Sequence, residues 1–158
     1  MDNKRIILCI KGDVGSGKTT LINNVAELLK NQHRFEDETA SMVKEMGLNE
    51  SEMPKAPRDC WLVLKKGEKV IIIQSEGDFV YSFKNTELYL RKSKVKSILV
   101  LCALRTGNNQ TRLEEELKRI QELCHREYKC MELNISSENA EVLVRTQVLQ
   151  HITDWLQL

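Results

Sequence analysis

The stretch Gly12-Asp13-Val14-Gly15-Ser16-Gly17-Lys18-Thr19-Thr20 sets three glycines among small and polar residues and ends on a lysine and two threonines. These residue types at this spacing suit the cradling of a polyphosphate. A triphosphate carries several negative charges, and backbone N–H groups converge on it only where side chains do not intrude. Gly12, Gly15 and Gly17 leave that room. Lys18 has the reach for the β- and γ-phosphates, and Thr19 offers a hydroxyl to a magnesium ion. A helix starting near Thr19 would aim its first amides and the positive end of its dipole at the same anion.

Phosphate chemistry also calls for an acid that holds magnesium or orients a nucleophile. The candidate is Val70–Ile73 followed by Gln74, Ser75, Glu76, Gly77 and Asp78. Asp78 is the first choice, because Gly77 lets the backbone turn toward the loop, and Glu76 is the alternative. Gln74 and Ser75 separate both from the apolar run, which leaves the register open. Arg105 and Thr106 end the next apolar run, where ligands of open α/β sheets sit. Arg105 is a candidate for charge stabilisation, Thr106 for a polar sensor, and Arg112 reads better as a surface residue. Glu36-Asp37-Glu38 is a weaker candidate for binding an acceptor.

Residues 5 to 30 match Gly-x-x-x-x-Gly-Lys-Ser/Thr with a strand before and a helix after. They resemble the Walker A unit of the P-loop NTPase superfamily. The later run KVIIIQSEGD, followed by ILVLCALRTG, is similar to small bacterial and phage ATP-binding proteins of unassigned role. The resemblance implies a nucleotide site from Gly12 to Thr20, with magnesium on Thr19 and Asp78. ATP is favoured over GTP, because the Asn-Lys-x-Asp string that reads guanine is absent from the sequence. Two functions follow as expectations. One is a magnesium-dependent ATPase or small kinase with Lys18, Arg105, Asp78 and Glu76 as catalytic residues. The other is a slowly hydrolysing nucleotide switch that controls a partner. The partners expected are the nucleotide and either an unidentified protein or a small-molecule acceptor.

The elements that must position these residues follow from periodicity. Ile6–Ile10 and Ser97–Leu104 are continuous apolar runs, the pattern of parallel strands buried on both faces. Ile22, Val25, Ala26, Leu28 and Leu29 mark one face of a helix. DETASMVKEMG predicts a short helix closed by Gly47, and NTELYLRKS predicts another. Cys60–Leu64 and Val70–Ile73 flank Lys66-Gly67 as a hairpin. Thr111 with Glu114 reads as a capping box opening the stripe Leu113, Leu117, Ile120 and Cys124. KCMELNI predicts a last strand, and Val144, Val148, Ile152 and Trp155 a last helix. Alternating strands and helices predict one three-layer α/β domain over residues 1–158, with a mostly parallel sheet, one antiparallel hairpin strand and helices on both faces.

Charge is nearly balanced, 24 Lys+Arg against 23 Asp+Glu, which gives no signature of nucleic-acid binding. No stretch approaches the length of a membrane span. The five cysteines lack the spacing of a zinc site, and Cys9 and Cys102 lie within apolar runs. His33, His125 and His151 have no companions at metal-ligand spacing. A reduced, cytoplasmic setting is expected.

Overall fold

The computed structural model describes residues 4–13, 17–48, 59–75, 81–107, 110–124, 129–133 and 140–157. Eleven elements follow one another along the chain. They are β1 (Ile6–Gly12), α1 (Lys18–Asn31), β2 (Glu36–Asp37), α2 (Thr39–Met46), β3 (Trp61–Lys66) and β4 (Lys69–Gln74). After these come α3 (Tyr81–Lys92), β5 (Ser97–Arg105), α4 (Gln110–Gln121), β6 (Lys129–Glu132) and α5 (Ala140–Leu156). The strands form one sheet in the order β2-β3-β4-β5-β1-β6. The β4–β5, β5–β1 and β1–β6 pairs are parallel. β3 pairs antiparallel with both β2 and β4, so it alone runs against the other described strands.

The apolar runs become the middle of the sheet because both of their faces are covered. Ile7 and Cys9 of β1 and Val100 and Cys102 of β5 pack with Val43 of α2, Phe83 of α3 and Leu117 of α4. The alternate residues, Leu8, Ile10, Leu99 and Leu101, pack with Ile22 of α1 and Val148 of α5. Side chains alternate across a strand, so one continuous apolar run feeds both cores. α1 and α5 therefore cover one face, and α2, α3 and α4 the other.

Turn chemistry places the elements much as expected. Gly67, at φ 61°, opens the two-residue loop between β3 and β4, and Gly47, at φ 64°, ends α2. Both take the left-handed conformation that glycine adopts without a Cβ penalty. The expected capping box does not form. α4 starts at Gln110, so Thr111 already lies inside its first turn. Glu114 instead accepts hydrogen bonds from Gln110 Nε2 at 3.0 Å and Lys11 Nζ at 3.3 Å. The Gln110 amide, and after it Lys11, holds the Glu114 carboxyl below its ordinary value.

β4 also runs one residue further than its apolar content predicts. Gln74 and Ser75 are fully buried rather than the start of a polar loop. Trp61 Nε1 donates to Thr86 Oγ1 at 2.9 Å, and the Thr86 hydroxyl donates to Gln74 Oε1 at 2.9 Å. Ser75 Oγ accepts from the Cys60 amide at 2.6 Å. Buried polar groups persist where they are hydrogen-bonded, and these bonds extend the hairpin ladder beyond its apolar stretch.

Strand register creates a row of thiols that spacing along the chain does not announce. Cys9 stands directly opposite Cys102 on one side and Cys130 on the other. Contact with Cys102 first, and burial after it, raises the Cys9 thiol well above its ordinary value. Contact with Cys9 raises Cys130, and burial pushes Cys124 from 9.0 up to about 11. A thiol whose folded pKa exceeds its unfolded one stabilises the fold below the unfolded value. That stability is lost as the pH climbs between the two. The urea midpoint is therefore expected to fall between pH 9 and about 11, less steeply in Cys124→Ala. Equal slopes in the two proteins would contradict the assignment to Cys124.

Candidate functional site

β1 ends at Gly12 in the interior of the sheet, with β5 on one side and β6 on the other. Gly12 pairs in register with Arg105, at the carboxyl end of β5. The Thr106 amide donates to Gly12 O at 3.1 Å, and the Leu133 amide to Lys11 O at 2.7 Å. Both neighbouring strands thus anchor the last residues of β1. In open α/β sheets this carboxyl-end position is where ligands bind.

Gly17 has φ 93° and is the residue from which α1 starts. It offers no side-chain cap, and the first turn of α1 holds no acidic residue. α2 likewise has no side-chain cap at its N-cap residue and no acid in its first turn. Just before it, however, Asp37 Oδ1 accepts the Thr39 amide at 3.0 Å and its hydroxyl at 2.6 Å. The opening amides of α1 keep the positive end of the helix dipole uncompensated by a carboxylate of their own turn.

Lys18 is the first residue of α1 and is 9% exposed. Its Nζ donates to Gly12 O at 2.7 Å and to Asp13 O at 2.8 Å. These two bonds hold the ammonium against the last backbone carbonyls of β1 and the residue after it. Thr19 Oγ1 lies 3.3 Å from Asp59 Oδ1 and 3.5 Å from Ser75 O. Thr20 is exposed, and so is Asp13, whose carboxylate accepts a hydrogen bond from the Thr106 hydroxyl. Val14, Gly15 and Ser16 lie outside the described residues, as do Glu76 and Asp78.

Gly12, Asp13, Gly17, Lys18, Thr19, Arg105 and Thr106 therefore meet at one corner of the sheet. Alternation along β5 puts Arg105 on the same face as α1. Arg112 is exposed on α4, which covers the opposite face. Glu36 and Asp37 form β2 at the sheet edge, four strand positions from β1 and about 19 Å away at ordinary strand spacing. Asp37 is engaged with Thr39, so the weaker acceptor-binding candidate stands apart from the corner.

A kinase reading expects a pocket beside the γ-phosphate lined by residues 31 to 58. A cavity of about 730 Å³ takes Glu38, the last residue of the acceptor candidate, with Met42, Glu45 and Met46 from that segment, together with Tyr89 and Val95. It also reaches Ser97, the first residue of β5. Arg105, beside Gly12, is eight residues further along the strand, about 26 Å at the rise of a parallel strand. The cavity and the glycine-rich loop thus occupy opposite ends of the sheet.

Asp59 is the residue at this corner that sequence reasoning misses. It stands before a strand, not after one, and its bond to Thr19 joins residues 40 apart. The only sequence cue is that a hairpin strand antiparallel to its neighbours must begin at their carboxyl ends. Among the described residues, no group of three or more His, Cys, Asp or Glu is arranged to hold a metal ion. Magnesium bound to phosphates needs only one or two protein oxygens. The Thr19 hydroxyl, the Asp59 carboxylate and the Ser75 carbonyl are hard oxygen donors of the kind it takes. No described helix is long and apolar enough to cross a membrane. Scanned against protein-family models and compared with curated proteins and solved structures, the chain has no significant match.

Proposed function

We propose that the chain binds ATP with magnesium at Gly12–Thr20 and works as a magnesium-dependent ATPase or small kinase of the P-loop type. The observation that carries this reading is Lys18. Its ammonium donates to Gly12 O and Asp13 O at the carboxyl end of β1, beside the start of α1, where Gly17 makes no side-chain cap. A lysine tip and helix amides converging on one point form an anion site, and a triphosphate matches its reach.

In this reading Lys18 and Arg105 balance charge on the transferring phosphoryl group. Thr19 offers its hydroxyl to magnesium, and Asp78, or alternatively Glu76, supplies an acid that holds the ion or orients the nucleophile. Magnesium, when bound, neutralises charge across the β- and γ-phosphate oxygens. Thr106, bonded both to Gly12 O and to Asp13, ties the loop to the end of β5 and can relay the state of the phosphate. A cytoplasmic setting belongs to the same proposal.

A second reading, a slowly hydrolysing switch, has an observation of its own. Val142 and Leu143 are 49% and 60% exposed in the first turn of α5. α5 follows β6 and so starts at the same end of the sheet as the loop, where an apolar pair can meet a partner protein. ATP turnover by the full chain, alone and with a panel of nucleosides, nucleotides and sugars, tests the two readings. Phosphoryl transfer to one acceptor marks a kinase. Hydrolysis without an acceptor marks an ATPase, and tight binding with negligible turnover favours the switch. Failure to bind ATP under every condition contradicts both.

A further inference from the structure

The first turns of α1 meet the beginning of β3 through two side chains spaced one helical turn apart. Thr19 Oγ1 donates to Asp59 Oδ1 at 3.3 Å, and Cys60 Sγ donates to Asn23 Oδ1 at 3.3 Å. Cys60 is in turn fixed to the end of β4. Its amide donates to Ser75 Oγ at 2.6 Å, and the Ser75 amide donates to Cys60 O at 3.0 Å. Asp59 is therefore held by α1 on one side and, through its chain neighbour, by β4 on the other. β3 runs against the parallel strands, so its start lies at their carboxyl ends, beside the glycine-rich loop. A carboxylate, a hydroxyl and the Ser75 carbonyl come together there, within one residue of Lys18.

We propose that Asp59 is a metal-facing carboxylate of this corner, holding with Thr19 the magnesium that accompanies a nucleoside triphosphate. The inference rests on the nucleotide reading above and deepens it by naming an acid drawn from the start of the antiparallel strand. The hydrogen bond has the right polarity for the task. Thr19 spends its proton on Asp59, which leaves the lone pairs of its hydroxyl oxygen for a cation. The charge has a second consequence. Without a cation, the Asp59 carboxylate repels the triphosphate that Lys18 attracts. With one, the ion joins the two, so Asp59 makes nucleotide binding conditional on metal.

The competing role is a clip between α1 and β3 with no part in metal binding. Asp59→Asn separates the two, because an amide oxygen still accepts the Thr19 hydrogen bond while the charge is gone. The experiment follows binding of a fluorescent ATP analogue to the full chain across a magnesium titration and in excess EDTA. Manganese bound in the presence of ATP is counted in parallel by paramagnetic resonance. The expected result is that Asp59→Asn raises the magnesium needed for half-maximal binding by roughly tenfold or more. It also loses the ATP-dependent manganese signal, and binds ATP in EDTA at least as tightly as the wild type. Asp59→Ser, which keeps a hydroxyl for Thr19, is read in the same way should the asparagine variant lose its circular-dichroism signature. An unchanged magnesium requirement in a folded variant overturns the proposal and leaves the clip. Wild-type protein that binds no ATP at any magnesium concentration overturns the nucleotide reading itself, a failure visible before any variant is compared.

Discussion

Replacing Lys18 by alanine is expected to weaken ATP binding at least about 100-fold while leaving the chain folded. A hydrogen bond to a charged group contributes about 1.5–3 kcal/mol, and a lysine that bridges two phosphates makes more than one. Their loss amounts to about 3 kcal/mol or more, which is two decades in Kd. The cost to the fold is much smaller. Alanine is the best helix former and takes the first position of α1 without strain. Gly12 O keeps the Thr106 amide, and Asp13 is exposed, so its carbonyl can turn to water. A stability loss of about 1 kcal/mol follows, with a melting temperature lower by about 2–4 °C. Calorimetric titration with ATP and magnesium, beside a thermal melt, reads both quantities. Undiminished affinity in a folded Lys18→Ala protein would remove the nucleotide site from this loop.

The second large effect lies at the opposite end of the sheet. Arg5 is 8% exposed, and its guanidinium donates to three backbone carbonyls. Nη1 reaches Leu90 O at 2.8 Å, and Nη2 reaches Ser93 O at 3.0 Å and Val95 O at 2.8 Å. Nε adds a contact to Val95 O at 3.2 Å. One planar cation thus closes the carboxyl end of α3 and fixes the chain that leads into β5, work that the positive end of a side chain does best at a helix C-terminus. Arg5→Ala strands these carbonyls, and the expected loss is about 3 kcal/mol. For a chain of this length that lowers the melting temperature by roughly 6–12 °C. Arg5→Lys recovers less than half, because a point ammonium cannot span the fork. Urea unfolding of the three proteins measures the series, and an alanine variant within about 1 kcal/mol of wild type would contradict the role.

Much of the scaffold was legible because it rests on local signals. Ile6–Ile10 and Ser97–Leu104 announced buried strands, since an uninterrupted apolar run fits a sheet covered on both faces. Gly47 and Gly67 announced their turns, because a left-handed residue there has few alternatives. The glycine-rich loop announced itself through its flanks, a strand before and a helix after.

What escaped the sequence depends on contacts between distant segments. Arg5 looks like one of many cations near a terminus until α3 brings its last carbonyls alongside. Asp59 looks like an ordinary residue before a strand until the antiparallel direction of β3 delivers it to Thr19. The thiol row of Cys102, Cys9 and Cys130 is a product of register, which the spacing of cysteines along the chain does not encode. Thr111 and Glu114 misled in the other direction. Their spacing matches a cap, but Lys11 and Gln110 claimed the glutamate first.

An amide chemical-shift titration of the isotope-labelled full chain with ATP and magnesium shows where the nucleotide sits. The largest shifts are expected on Gly12, Asp13, Gly17, Lys18 and Thr19, extending to Thr106 and Leu133 and vanishing in Lys18→Ala. Shifts gathered instead around Met46, Tyr89 and Val95, at the cavity on the far end of the sheet, or no shifts at any nucleotide concentration, would contradict a nucleotide site at the glycine-rich loop.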